Sequence, residues 1–464
     1  MQRLTRAELL SLARRQPETL VEMFLALQER LACNSTNSHQ PPATDGLAKP
    51  APKSLREKTG RRPGGQPGHR GTTLPLVENP DQVEQHRWHR CPCGQCHGVS
   101  LAGQRVLAYE RRQVLDLPPL RLLTTEHQAE IKQCPVSGLL VTASFPATVT
   151  APVQYGPHFR SLTLYLFHQQ LLPFDRLRQT CQDLFGQPLS RGTLTQTSAR
   201  AYQALAPVEA VIVRGLSQAV VVNVDESGLR VAARLHWLHV ASTADLTFYG
   251  VHGRRGTVAM DALGVLPHCH HWLVHDHWKP YFKYEAFHAL CNQHLLRELK
   301  FLAEECHEAW APILTAFLLA WKDDPRTQAG LTQAQFQTAH KRYQAIVRQG
   351  RQDHPRRQPG QGRTKQGQAA NLLDRLEDFD LQVLAFLIDP NVPFTNNQGE
   401  QDIRMIKVKQ KISGGFRTLT GARAFARIRS YLSTGRKQGR NLYEACYQLA
   451  IGQPFMPNVP AAGP

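Results

Sequence analysis

Apolar positions recur along this chain in two periods, and the changes between them mark its elements. Leu20, Phe24, Leu27 and Leu31 repeat at 4-3-4 spacing, one seam of a packed helix, with Thr5 and Glu8 as a capping box upstream. Pro17 breaks that segment, and its seam suits a helix packed on its own chain or a short dimer contact. The helical period returns over 159–172 and 174–185; after Gly186 and Pro188 it resumes from Ser190, an N-cap, toward Leu205. Beyond 219 the period shortens. A buried apolar run at 219–224, alternating runs at 234–242 and 246–252, a helical stretch at 257–263 and a strand at 271–274 predict the order β-β-β-α-β. Three antiparallel strands followed by a crossover helix return the fourth strand parallel beside the first. Asp225 and Asp276, each expected just past the end of its strand, then become neighbours. Residues 290–387 read as helical, with a basic Pro/Gly/Gln loop at 349–368.

Composition changes this picture at one end. From 34 to 71 the chain is rich in Asn, Ser, Pro, Gly, Lys and Arg and offers almost nothing apolar to bury, which predicts a flexible basic linker. Arg61 and Arg62, beside Pro63 and Gly64, suit an extended arm in a narrow minor groove or a solvated charge run. Over the 464 residues, 55 Lys and Arg stand against 37 Asp and Glu, a formal charge of +18 that favours a polyanionic partner, nucleic acid first. The length suggests about three domains. No apolar run approaches the ~18 residues of a membrane span, and the charged first thirty residues do not read as a secretory signal. A reducing, cytoplasmic setting follows as the expectation.

In that setting, clustered cysteines point to metal. Cys91, Cys93 and Cys96 form one knuckle and Cys134 opens a second, with alternating segments at 105–115 and 120–132 expected to join them as a β-hairpin. A tetrahedral Zn²⁺ site takes four such ligands. Ser137 stands where a fourth thiolate belongs, so a complete site needs His127 or His97; otherwise the unit is a decayed ribbon held by its hairpin. The helix, Gly-containing turn and capped second helix at 174–205 suit helix-turn-helix geometry, with Arg191, Thr193, Gln196 and Arg200 facing a groove, or ordinary hairpin packing.

A third carboxylate follows Thr395, Asn396 and Asn397. Gly399 permits close approach, and Glu400, Arg404 and Lys407 share one helical face, Asp402 pointing off it. Clustered carboxylates hold paired Mg²⁺ ions, and the basic stretch from Ile403 through Arg440, which includes Lys409, suits a phosphate backbone. Neighbouring Glu226 is placed to join or replace Asp225 as a ligand. His268, His270, His271, His275 and His277, with Cys269, Cys291 and His294, are read as packing or orienting residues in preference to a second zinc site.

Several motifs in one order resemble the insertion sequence sixty-six family of DDE transposases: Asn34 to Ser38, Gly64-Gly65-Gln66-Pro67-Gly68-His69, the cysteine knuckles, Val224-Asp225-Glu226-Ser227, His275-Asp276, Cys291-x-x-His294 and Asn396-Asn397-x-Gly399-Glu400. The resemblance implies an α/β fold with a ribonuclease-H-like core, interrupted by a helical insertion. It implies Asp225, Asp276 and Glu400 as the acidic triad using Mg²⁺ or Mn²⁺, and Cys291 with His294 as the family's Cys-x-x-His signature. It also implies a bacterial, nucleoid-associated enzyme that binds terminal inverted repeats and target DNA, as a homo-oligomer and with accessory proteins of the same element. The expected partition is a helical segment 1–33, a linker 34–85, a zinc-knuckle-like DNA-binding domain 86–140 and a helix-turn-helix-like region 150–215. Core parts 218–285 and 391–435 follow, split by the insertion 286–390, then a C-terminal helix and tail 436–464. The rival class is a catalytically silent DNA-binding regulator.

Overall fold

In a computed structural model, residues 74–356 and 366–459 are described, with 13–18, 21, 24 and 68 besides. Thr5, Glu8, Leu20, Leu27, Leu31, Arg61 and Arg62 lie outside the described residues. The chain divides into two compact units, one of residues 54–125 and one combining 1–53 with 126–464.

In the smaller unit a short loop closes over the first cysteine knuckle. Arg90 bridges Ser100, the Cys91 N–H donates to Val99 O at 2.9 Å, and the Leu101 N–H to His89 O at 3.0 Å. The alternating segments after it do not form the expected hairpin: residues 104–130 carry no strand, and Leu107, Val114 and Leu123 are exposed. Period-2 alternation makes a strand only where a neighbouring strand and a surface to bury exist.

The larger unit opens with β1 (Ile131–Gln133) and β2 (Leu140–Thr142), antiparallel and flanking the Cys134 turn instead of joining two knuckles. Helix α1 (Pro157–Leu164) continues as a π-helical turn through Gln169 and leads to α2 (Phe174–Phe185). Gly186 ends α2 in the left-handed conformation that glycine adopts without strain. Helix α3 (Arg191–Ala204) starts where expected, the Ser190 hydroxyl accepting from the Thr193 N–H, and α4 (Ala206–Ser217) follows.

A five-stranded mixed sheet comes next: β3 (Val221–Val231), β4 (Arg234–Ser242), β5 (Thr247–His252) and, after α5 (Thr257–Leu263), β6 (Trp272–His275) and β7 (Phe287–Leu290). Its order is β5-β4-β3-β6-β7; the first three strands are antiparallel, and β3–β6 and β6–β7 are parallel. The crossover therefore returns β6 beside β3 as expected. Two features differ from expectation. Strand β7 extends the sheet, and β3 runs seven residues past Val224 to a two-residue hairpin turn, so Asp225 lies within its strand.

After the sheet the chain is helical: α6 (Asn292–Glu304), α7 (Trp310–Asp323), α8 (Gln333–Asp353) and α9 (Gln368–Asp378), with short helical turns at 325–329, 380–383 and 385–388. Leu299, Leu314, Tyr343, Leu373 and Leu384 are buried in one core that extends to Val274 and Ala289 of the sheet. Asn292 closes this segment on itself, its N–H donating to Phe394 O and its side-chain amide to Val383 O, both at 3.1 Å.

The chain then returns to the sheet as α10 (Asn397–Ser413), α11 (Leu419–Lys437) and α12 (Leu442–Ala450). Alternation along β3 divides its side chains between two cores. Val222 and Val224 face Leu216, Ile428 and Leu432, whereas Leu229 and Val231 face Ile403 and Ile406 of α10. The outer strand β5 is covered by α11: Ser430 Oγ accepts the Tyr249 N–H at 2.8 Å and Thr434 Oγ1 the Thr247 N–H at 3.0 Å. Hydroxyls thus satisfy donors that an edge strand would leave open.

The hairpin between β3 and β4 is made by Ala232 and Ala233, with φ of 48° and 63°. Each holds a left-handed conformation that costs an L-residue about 1–2 kcal/mol. The Ala232 N–H donates to Phe416 O at 2.8 Å, and the Phe416 N–H to Arg230 O at 2.7 Å, which pins the turn against the α10–α11 connection. Replacing the pair with Asn-Gly is expected to raise stability by about 1–2 kcal/mol, because both residues accept this turn and retain the N–H. Urea unfolding checks it: the midpoint rises with an unchanged slope.

Candidate active site

Three segments distant in sequence converge beside Asp225. Because β3 alternates, Asp225 shares the face of Leu229 and Val231, on which α10 packs, and Glu226 points to the opposite face. Glu400 stands in the first turn of α10, its N–H donating to Asn396 O at 3.1 Å. Asp276 follows the last residue of β6, and its carboxylate accepts the Trp278 N–H at 3.0 Å. Burial first, then the negative charge of Glu226, and also those of Asp276 and Glu400, hold the Asp225 carboxyl well above the usual carboxylate range; the Glu226 N–H, donating to it at 2.8 Å, opposes them.

Asn396 sets the position of this convergence. It is 3% exposed, its side-chain amide donates to Val224 O at 2.7 Å, and its backbone N–H donates to Cys291 Sγ at 3.2 Å. Gly399 leaves room for it: a Cβ there would stand 2.9 Å from Asn396 Oδ1. Gln410, one helical stretch further on, donates to Gly228 O at 2.8 Å and fixes the far end of α10 along the same strand.

Glu226 is committed elsewhere. Its side chain is 2% exposed, Arg255 donates to it at 2.5 and 2.9 Å, and the Tyr281 hydroxyl also donates to it. The Arg255 guanidinium lies 5.0 Å from the Trp237 ring and 4.0 Å from Trp278, an aromatic sandwich that fixes its orientation. Neither Arg255 nor Tyr281 was singled out from the sequence, since a Gly-flanked Arg pair and an isolated Tyr carry no periodic signal. Lys407 feels the field of Asp225, which counters the burial that lowers its proton affinity. Arg404 is exposed. Asp402 points away, bonded by Lys437 at 2.7 Å and Gln398 at 2.9 Å.

Other expected residues fall in different places. Lys409, expected at a phosphate backbone, is 7% exposed, with its ammonium 5.9 Å from the Phe167 ring and 5.4 Å from Phe416; the helical period turns it inward. Arg191 pairs with Asp175 at 3.0 Å on the surface, and Arg200 is exposed on the same helix. His275 is buried between Tyr281 and Phe282, 3.0 Å from the His288 ring, and burial lowers its pKa to about 3. His277 packs on Phe282 and Phe379. His268 and His270 are exposed, His271 is half-buried, and buried Cys269 donates to Val265 O at 3.4 Å.

Two groups among the described residues present metal-ligating atoms within 4.8 Å of one another: Cys91, Cys93 and Cys96; and Cys291, His294 and Glu400. In the first, a hydrogen bond from Cys91 is the main cause lowering Cys93 to about 6, which favours the ligating thiolate. Cys134 lies in the larger unit, its pKa lowered to about 7, foremost by a hydrogen bond from Ser137.

A family model described as Transposase IS66 family matches residues 152–424, which include all three carboxylates and the whole sheet. The chain belongs to the IS66 transposase family. This transposase carries a second match over residues 2–75, to a family of unknown function (DUF6444). None of the curated proteins matches it. No helix among its described residues is long and apolar enough to cross a membrane.

The charge crowding at Asp225 gives a pH test. A carboxyl whose folded-state pKa is raised loses stability as pH climbs from its unfolded value through the folded one. In metal-free buffer, Asp225→Asn is expected to melt higher than wild type at pH 8 by roughly 2–4 °C, the shift made by about 1 kcal/mol in a domain of this size. At pH 4 the gap should close, and thermal melts in chelator across pH 4 to 8 check both points.

Proposed function

We propose that this IS66 family transposase cleaves and transfers DNA strands at the ends of an insertion sequence, with Asp225, Asp276 and Glu400 as its acidic triad. The observation that carries this is that Asp276, just past β6, and Glu400, in the first turn of α10, both stand near enough to Asp225 of β3 for their charges to raise its proton affinity. The sheet order, three antiparallel strands and then two parallel ones, supports a ribonuclease-H-like core, and the helices between Asp276 and Glu400 support a single long insertion.

The donor set suits hard cations, since all three ligands are carboxylates and their mutual repulsion is relieved by positive charge. Mg²⁺ or Mn²⁺ bound there supplies the charge that activates an attacking oxygen and steadies a leaving one. The chain's own residues do the rest. Asn396 and Gly399 hold Glu400 at β3, Arg255 neutralises Glu226 while the Tyr281 hydroxyl donates to it, and Lys407 with Arg404 contacts the phosphodiester. The chemistry is hydrolysis at the element end, freeing a 3′-hydroxyl, and then in-line attack of that hydroxyl on target DNA. Helices α2 and α3, with Arg191 and Arg200, read the terminal repeats in the manner of a helix-turn-helix. The Cys91–Cys93–Cys96 knuckle and the basic linker with Arg61 and Arg62 add contacts, and two ends are paired by at least a dimer.

Incubating the protein with the DNA flanking its own gene in Mg²⁺ or Mn²⁺, and mapping nicks to the nucleotide, tests this. Discrete metal-dependent cuts at inverted-repeat ends are expected, reduced by about 10²–10³-fold or more in Glu400→Gln, the equivalent of several kcal/mol at the transition state. Equal cutting by the variant overturns the triad. Specific binding without cuts favours the silent DNA-binding class.

A further inference from the structure

We propose that Cys291, His294 and Glu400 form a zinc site that ties the start of the helical segment to the helix carrying Glu400. Cys291 follows β7 and occupies the N-cap position of α6, His294 lies three residues on in the first turn, and Glu400 occupies the first turn of α10. The i, i+3 spacing puts thiol and imidazole on one side of α6, and the three ligand atoms stand within 4.8 Å of one another. Ligands 2.0–2.3 Å from a tetrahedral zinc stand about 3.5 Å apart, so side-chain rotations of about 1 Å close the site.

Three further observations fit a metal. His294 Nδ1 is buried and has no hydrogen-bond partner among the described residues, an expensive state for an imidazole nitrogen that a metal ligand avoids. Cys291 Sγ accepts the Asn396 N–H at 3.2 Å, a contact that favours the thiolate; burial first, and the Glu400 charge besides, outweigh it and push the thiol up to about 11, so the thiolate forms only with a cation to neutralise it. A donor set of sulfur, nitrogen and one carboxylate is soft, unlike the all-carboxylate set beside it, and selects Zn²⁺ over Mg²⁺. Binding displaces the thiol proton to solvent, leaves the metal's oxidation state unchanged and leaves a fourth position open. Glu400 is then fixed through one carboxylate oxygen, with the other free toward Asp225 and Asp276. That positioning role rests on the triad proposed above; the binding itself does not.

The test uses the full chain in a Cys91→Ser, Cys93→Ser, Cys96→Ser background, stripped of metal and titrated with Co²⁺ as a spectroscopic stand-in for zinc. A one-equivalent tetrahedral Co²⁺ spectrum with a thiolate charge-transfer band is expected, bleached by Zn²⁺ and retained in Asp225→Asn. Cys291→Ser should abolish the charge-transfer band. His294→Ala, at a less buried position, should keep the fold and weaken Co²⁺ at least tenfold. A band of undiminished intensity in Cys291→Ser, or unchanged affinity in His294→Ala, overturns the site, as does failure of the parent to bind Co²⁺. An intact cobalt spectrum in a protein that cuts no DNA supports the zinc site and counts against the triad.

Discussion

The buried amide of Asn396 is the constraint on which the candidate site depends. Through hydrogen bonds of 2.7, 3.1 and 3.2 Å it touches the strand residue before Asp225, the backbone of Glu400 and the sulfur of Cys291. Asn396 thus joins segments 172 and 105 residues before it in the chain. Asn suits the position because its side-chain amide donates to Val224 O, while its backbone N–H donates to Cys291 Sγ and its backbone carbonyl accepts the Glu400 N–H. A carboxylate there would face the Val224 carbonyl with no proton to offer. Gly399 is the companion requirement, since any side chain would collide with the amide.

Around that anchor, the two faces of β3 divide the work. Adjacent acids, Asp225 and Glu226, enter opposite environments merely because strand side chains alternate. One meets α10 and the other carboxylates; the other is bonded by Arg255 and Tyr281. Burial raises the proton affinity of both, but only Glu226 has a guanidinium to offset it. Asp276 acts on both acids, so the guanidinium is the main difference in local charge between them, and it ties Glu226 to the loop that carries Arg255.

Much of this was legible in the chain. Helix α2, the Ser190 cap, β4 and α5 begin and end where their periodicity and caps require, and the parallel return of β6 follows from crossover handedness. What escaped did so for physical reasons. Ala232-Ala233 is not a recognisable turn sequence, so the outer half of β3 was hidden; β7 has only four residues; and Lys409 is a cation turned inward by the helical period. At 105–132 alternation was present but a pairing strand was not. The proximity of Cys291 and His294 to Glu400 is purely tertiary, and no local pattern encodes it.

The covering of β5 by Ser430 and Thr434 has a consequence for how the chain matures. Those hydroxyls arrive some 180 residues after the strand they satisfy. On a ribosome, the first three strands emerge with an outer edge bare, and Asp225 and Asp276 precede Glu400 by the whole helical segment. The helices between them bury most of their core among themselves, whereas the cover of β5 waits for α11, because long-range pairing must first overcome the entropy of closing the loop. A chain emerging in this order carries a bare β5 edge, and Asp225 and Asp276 without Glu400, until one late docking step of α10 and α11 covers the edge and completes the carboxylate cluster.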